Sequence, residues 1–167
     1  MKDAFYIIGT SHPIQCGKSE HSHAFEAEVE IVCKKLKIRR IAEEMSPEGL
    51  KRYGVTETVA QRVAKKLYIP CHHVDLSLCE REIVSLGDSV VLNAVMNFPF
   101  ADGGGSFRKA FNELADEVRE RCWSARVIAE KEWPVLFICG ANHTASVWAL
   151  WQRLGIDAVV VHADYHL

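Results

Sequence analysis

Two short apolar runs, each closed by a glycine, constrain this chain more than any other feature. Phe5-Tyr6-Ile7-Ile8 runs into Gly9, and Pro134-Val135-Leu136-Phe137-Ile138-Cys139 runs into Gly140. A short run with no polar alternation reads as a strand buried on both faces, the condition of a strand inside a helix-covered parallel sheet. Three more strands are expected: residues 37–42, residues 68–74 with Asp75 at the end, and residues 156–162. The arginines of the first of these sit uneasily in a buried strand.

Helical patterns fall between the strands. Phe25, Val29, Val32 and Leu36 share one face of a helix over residues 23–35, after a loop broken by Pro13 and Gly17. Ser46 is an N-cap ahead of Pro47, and Thr56 is the expected cap of a helix bearing Val59, Val63 and Leu67. Residues 76–86 fit helix or turn. The longest helix is expected over residues 107–131, with an apolar stripe through Phe111, Leu114, Val118 and Trp123, and Gly155 stops a helix over residues 142–154. This alternation predicts a three-layer α/β fold, a mostly parallel sheet of about five strands flanked by helices. The 167 residues suit a single domain. Residues 88–106, which end in a glycine-rich stretch, read as a lid or insertion.

The chemistry sits where strands end. Gly9-Thr10-Ser11-His12 and Gly140-Ala141-Asn142-His143 share one plan: a buried strand, a glycine that lets the chain turn, and a histidine three residues on. Ligands of open α/β sheets gather at that carboxyl edge. Neutral imidazole serves as a metal ligand or a proton carrier. Glu43-Glu44 ends the second strand; one of the two faces the same edge as metal ligand or general base, and the other is expected to be a solvated loop charge, because adjacent strand residues point to opposite faces. Asp75 is either a further polar member of the edge or an N-cap for the residues after it. The long helix carries Arg119, Glu120 and Arg121, where an arginine could pair with a carboxylate or bind a substrate anion.

Bulk properties exclude other classes. A net charge of −2 gives no general pull toward nucleic acid or acidic membrane. No apolar stretch is long enough to span a bilayer, and the first residues lack the long apolar region of a secretory signal, so a cytoplasmic location is the default. Six scattered cysteines without a C-x-x-C pair imply reduced thiols, with Cys33, Cys79 and Cys139 expected in the core. Cys16-Gly17-Lys18-Ser19 echoes the end of a phosphate-binding P-loop, but His12 stands where the first glycine belongs, which argues against a nucleotide-binding protein. His21, His23, His72 and His73 keep open a haem- or metal-binding sensor without catalysis. Trp133, Trp148 and Trp151 keep open an interaction protein, with Trp148 and Trp151 at core or homodimer-contact spacing.

FYIIGTSH, RRIAEEMS, RERCW and PVLFICGANHTASVWALWQRLGIDAVVV together resemble the TraB/PrgY, GumN and Tiki group, within the wider superfamily that includes ChaN and erythromycin esterase. The resemblance touches both ends of the chain and thins over residues 77–107. It implies that His12 and His143 are the two motif histidines, that Glu44 ahead of Met45 is the strand-end glutamate, and that Arg121 after Glu120 is the helix arginine. Cys122 stands where the group has asparagine. Tiki-like members imply metal-dependent hydrolysis, and ChaN-like members imply haem or iron binding. The expectation is a hydrolase in which His12, Glu44 and His143 hold a divalent metal such as Mn, Co or Zn. Arg121 would stabilise developing negative charge, and Asp75 or Glu43 would orient a histidine from behind. A metal-free version has one histidine as general base, oriented by Glu44, for an ester, amide or peptide bond in a small-molecule or peptide substrate.

Overall fold

The apolar runs become the inner strands of a five-stranded, all-parallel sheet. The computed structural model describes residues 4–83 and 105–165. In chain order these form β1 (Ala4–Thr10), α1 (His12–Gln15), α2 (Ser22–Leu36), β2 (Arg40–Glu43), α3 (Pro47–Tyr53), α4 (Val59–Leu67), β3 (Cys71–His73), α5 (Leu78–Ile83), α6 (Gly105–Ala129), β4 (Val135–Gly140), a 3-10 turn (Ala141–His143), α7 (Thr144–Arg153) and β5 (Asp157–His162). The sheet order is β3-β2-β4-β1-β5. The two strongest runs, β1 and β4, lie side by side in the centre, with Ile8 opposite Ile138 and Thr10 opposite Gly140.

Strand alternation sorts the core into two faces. Ile8, Ile41, Leu136 and Ile138 pack against Phe25, Val29, Val59 and Val63 of α2 and α4. Phe5, Ile7, Phe137 and Cys139 pack against Trp123 and Val127 of α6 and Val147 and Trp151 of α7. Helices therefore cover both sides, the three-layer arrangement the alternation predicts. The chain leaves β1 through α2 on one face and leaves β4 through α7 on the other. Neighbouring strands whose connections part in this way open a crevice at their carboxyl ends.

Several local expectations shift for identifiable reasons. Lys37 and Tyr68 adopt left-handed conformations that close α2 and α4, and the amides of Ile38 and Ile69 bond back to Cys33 and Ala64. These helix closures take the residues expected to open β2 and β3, so both strands start later and are shorter. Arg40 is fully buried in β2. Its guanidinium reaches the end of α6, donating to the Val127 carbonyl at 2.6 Å and to Glu130 at 3.1 Å. Thr58, not Thr56, caps α4, in a reciprocal capping box with Gln61. Pro13 sits in the first turn of α1, where a loop was expected. Cys79 is exposed, whereas Cys33 and Cys139 are buried; all six thiols are free. Residues 88–104 of the expected lid lie outside the described residues, and residues 105 and 106 begin α6. Among the described residues no helix is long and apolar enough to cross a membrane.

Candidate active site

The crevice between β1 and β4 gathers side chains from four strand ends and one helix. His12 opens α1 directly after β1, and His143 ends the turn directly after β4. Glu44 follows β2, its amide still paired to the Ile138 carbonyl at 2.8 Å, so it lies alongside β4. Its side chain is 2% exposed. Glu44 Oε2 accepts from the Gly140 amide at 2.7 Å, and Oε1 faces both histidines, with His12 Nε2 at 4.0 Å and His143 Nε2 at 3.8 Å.

The two imidazoles are held differently. Nδ1 of buried His143 donates to Glu120 Oε1 at 2.8 Å, and the Ser146 hydroxyl donates to the same oxygen at 2.6 Å. The Trp123 ring packs edge-on at 5.0 Å. Burial pulls the pKa of His143 down, but the Glu120 hydrogen bond and the charges of Glu44 and Asp116 outweigh it, and the imidazole is held above its ordinary value. Half-buried His12 places Nδ1 3.4 Å from Oε1 of fully buried Gln15, a neutral partner.

Arg119 ties the acidic residues together. It donates to Glu44 Oε1 at 2.8 Å, to both Asp75 oxygens at 3.3 and 3.2 Å and to Asp116 at 3.2 Å, and its guanidinium lies 4.8 Å from the Trp123 ring centre. Asp75 also accepts from Arg81 at 2.5 Å and from Trp123 Nε1 at 2.9 Å. Burial raises the Asp75 pKa, but the two arginines and the indole N–H outweigh it, and the carboxyl is held below its ordinary value. Asp75 is thus a member of the network. Ser77 and Glu80 supply the reciprocal bonds that open α5.

Two expected placements are corrected. Arg121 is 61% exposed and pairs with Glu117 on the outer face of α6, so the arginine at the site is Arg119. Helical phase is the reason: Asp116, Arg119, Glu120, Trp123 and Val127 recur at three- and four-residue steps, and residue 121 falls off that face. The expected stripe was out of phase too, since Leu114 is 57% exposed. Glu43 is not a solvated charge. It is fully buried on the opposite sheet face, where Oε2 accepts from the Thr58 hydroxyl at 2.6 Å and lies 3.6 Å from His73 Nε2. Burial, reinforced by the negative charge of Glu44 and opposed by the Thr58 hydrogen bond, pushes its pKa up to about 8. Gln15 and Glu120, the partners of the two imidazoles, were not anticipated; Glu120 could have been found by phasing α6 on Trp123.

Two imidazoles around one carboxylate oxygen invite a metal such as Mn, Co or Zn, but the residues fit one poorly. The oxygen both Nε2 atoms face already accepts from a guanidinium, whose positive charge opposes a dication at the same place. Among the described residues no three His, Cys, Asp or Glu form a group arranged to hold a metal. The other histidines weighed as ligands are dispersed among the described residues: His21 lies beside Glu20, His23 is exposed on α2, and His72 pairs with Glu130. The P-loop echo is also spent locally, because the amides of Gly17, Lys18 and Ser19 donate to Ile14 O, Pro13 O and Ser22 Oγ.

A cavity of about 450 Å³ opens in front of His12, Glu44 and Arg119, with Glu48, Arg52 and Tyr53 of α3 on its far wall. Protein-family models, curated proteins and solved structures contain no match to this chain.

Proposed function

We propose that the protein is a hydrolase of an ester or amide bond that works by paired histidine acid–base catalysis. The observation that carries this reading is the unequal bracing of two imidazoles around one carboxylate. Both Nε2 atoms lie within 4.0 Å of Glu44 Oε1, yet one Nδ1 is held by a carboxylate and the other by a neutral amide. Environments that differ in this way separate an acid from a base.

His12, with Nδ1–H directed at Gln15, keeps its Nε2 lone pair toward the crevice and removes a proton from water. The water oxygen bonds to the acyl carbon, and Arg119 faces the resulting oxyanion. Glu44 stabilises the imidazolium formed on His12. His143, whose proton affinity Glu120 raises, delivers its Nε2 proton in its protonated form to the departing oxygen or nitrogen as the acyl bond breaks. Proton exchange with solvent resets both rings. The resemblance to the TraB/PrgY, GumN and Tiki group agrees with hydrolysis, but this route passes no step through a metal.

The test is hydrolysis of p-nitrophenyl acetate and N-acetylalanine by protein dialysed against 1,10-phenanthroline and EDTA. Activity is expected to survive dialysis and to fall at least about hundredfold in His12→Ala and in His143→Ala. Unchanged rates in both variants, or no hydrolysis above buffer, would falsify the reading. Loss on dialysis with recovery on adding Mn, Co or Zn would transfer the site to metal chemistry.

A further inference from the structure

The cavity in front of His12 carries one pair of opposite charges that the network leaves unused. Of the acids lining it, Glu44 and Asp75 are engaged by Arg119, Arg81, the Trp123 indole and the Gly140 amide. Glu48 and Arg52 stand one turn apart on α3 and line the same cavity. That spacing ordinarily yields an ion pair. Here neither has an ion-pair partner among the described residues, and Glu48 buries Oε2 without a hydrogen-bond donor. A buried acceptor left without a donor is costly, and a free guanidinium offers a fork that matches a carboxylate.

We infer that this cavity takes a small N-acyl amino acid, with its carboxylate on Arg52 and its amide N–H on Glu48. The inference rests on the hydrolytic reading above and names its substrate class. Such a molecule carries the anion and the N–H donor one carbon apart, and the scissile carbonyl adjoins the gripped N–H. Tyr53, next to Arg52, lies with its ring centre 6.2 Å from that of His12, so the α3 wall and His12 are within one small molecule of each other, and His143 Nε2 stands 3.8 Å from Glu44, which lines the same cavity. The cavity volume falls within the range of small-molecule sites. Water adds across the amide C–N bond; the acyl carbon keeps the hydroxyl oxygen, and the amino acid leaves with the proton from His143.

Calorimetric titration of N-acetylalanine and N-acetylalanine amide into the full-length protein tests the grip, since the two differ at the carboxylate. The wild type is expected to bind the acid at least about tenfold more tightly. Arg52→Ala should bring that ratio to about one, and Arg52→Lys should hold an intermediate ratio. Equal binding of the two by the wild type, no binding of either, or a ratio untouched by Arg52→Ala overturns the inference. Release of alanine is followed in parallel with an amine reagent. Carboxylate-selective binding without release supports the grip and overturns the hydrolytic reading. Ester hydrolysis with no carboxylate selectivity does the reverse.

Discussion

Glu43→Gln should stabilise the protein, and by an amount that grows with pH. The carboxyl is fully buried on the sheet face away from the crevice, with one hydrogen bond from Thr58 and Oε1 unpartnered among the described residues. Burial pushes its pKa from 4.5 to about 8 in the folded protein. In the unfolded chain it ionises near 4.5. Below that value both states are protonated, and the residue contributes its full share to stability. Between about 4.5 and 8 the unfolded chain ionises while the folded protein keeps the proton, so stability falls as pH rises. Each pH unit of that window costs about 1.4 kcal/mol, giving on the order of 3 kcal/mol by pH 7 and 5 kcal/mol above pH 8. Glutamine matches the shape, keeps an acceptor for Thr58 and does not titrate. Urea unfolding of wild type and variant at pH 5, 7 and 8.5 measures the gap between them, which should widen steadily. A gap that stays constant across the three would refute the reasoning, because it would mean that Glu43 ionises in the fold as it does in water.

Two further outcomes follow from the site. Glu120→Gln removes the carboxylate whose hydrogen bond raises the proton affinity of His143, so the alkaline limb of the pH–rate profile should move to lower pH; a limb that stays in place would separate His143 from the acid role. Arg119→Ala leaves Glu44 and Asp75 without their shared cation and should cost about 3 kcal/mol in urea melts and about hundredfold in kcat/KM, whereas Arg121→Ala should stay within about 0.5 kcal/mol; equal effects would return the site to Arg121.

What was legible in the sequence was what hydrophobic pattern alone controls. The continuous runs of β1 and β4 declared a covered parallel sheet, and the histidines after them lie at its carboxyl edge. Strand starts were less legible because Lys37 and Tyr68 close helices in a conformation for which glycine is the usual signal. The choice between Glu43 and Glu44 is settled by the pleat together with what each face offers. One side supplies Thr58 and a dry core, and the other supplies Arg119 and the Gly140 amide. Arg119 was passed over because the resemblance carried its role to Arg121 by the place of that residue after Glu120, and Arg121 falls on the outer face of α6. Arg40 was discounted as a strand residue because its guanidinium exits along β2 to the end of α6, a contact 87 residues distant that local patterning does not register.

The paired Gly-x-x-His motifs are alike in delivering a histidine, but their glycines serve different ends. Neither glycine is needed for a left-handed turn: positive φ occurs at Gly17, Gly54 and Gly155, and Gly140 has φ −58°. Close approach is what excludes a side chain. At Gly140 a Cβ would stand 2.7 Å from Asn142 Oδ1 and 3.3 Å from Glu44 Oε2, against the same carboxylate that the Gly140 amide holds. Any larger residue would press Glu44 away from the strand that positions it between the histidines. At Gly9 a Cβ would overlap the Ala163 carbonyl and the Thr144 hydroxyl, which bond to each other, while the Gly9 carbonyl accepts from the Tyr165 amide at 2.7 Å. That glycine seats the segment after β5 across the end of β1. The first motif therefore anchors the segment after β5 across the end of β1 and the second sets the carboxylate inside the crevice, so the repeat records two packing constraints that converge on one edge of the sheet.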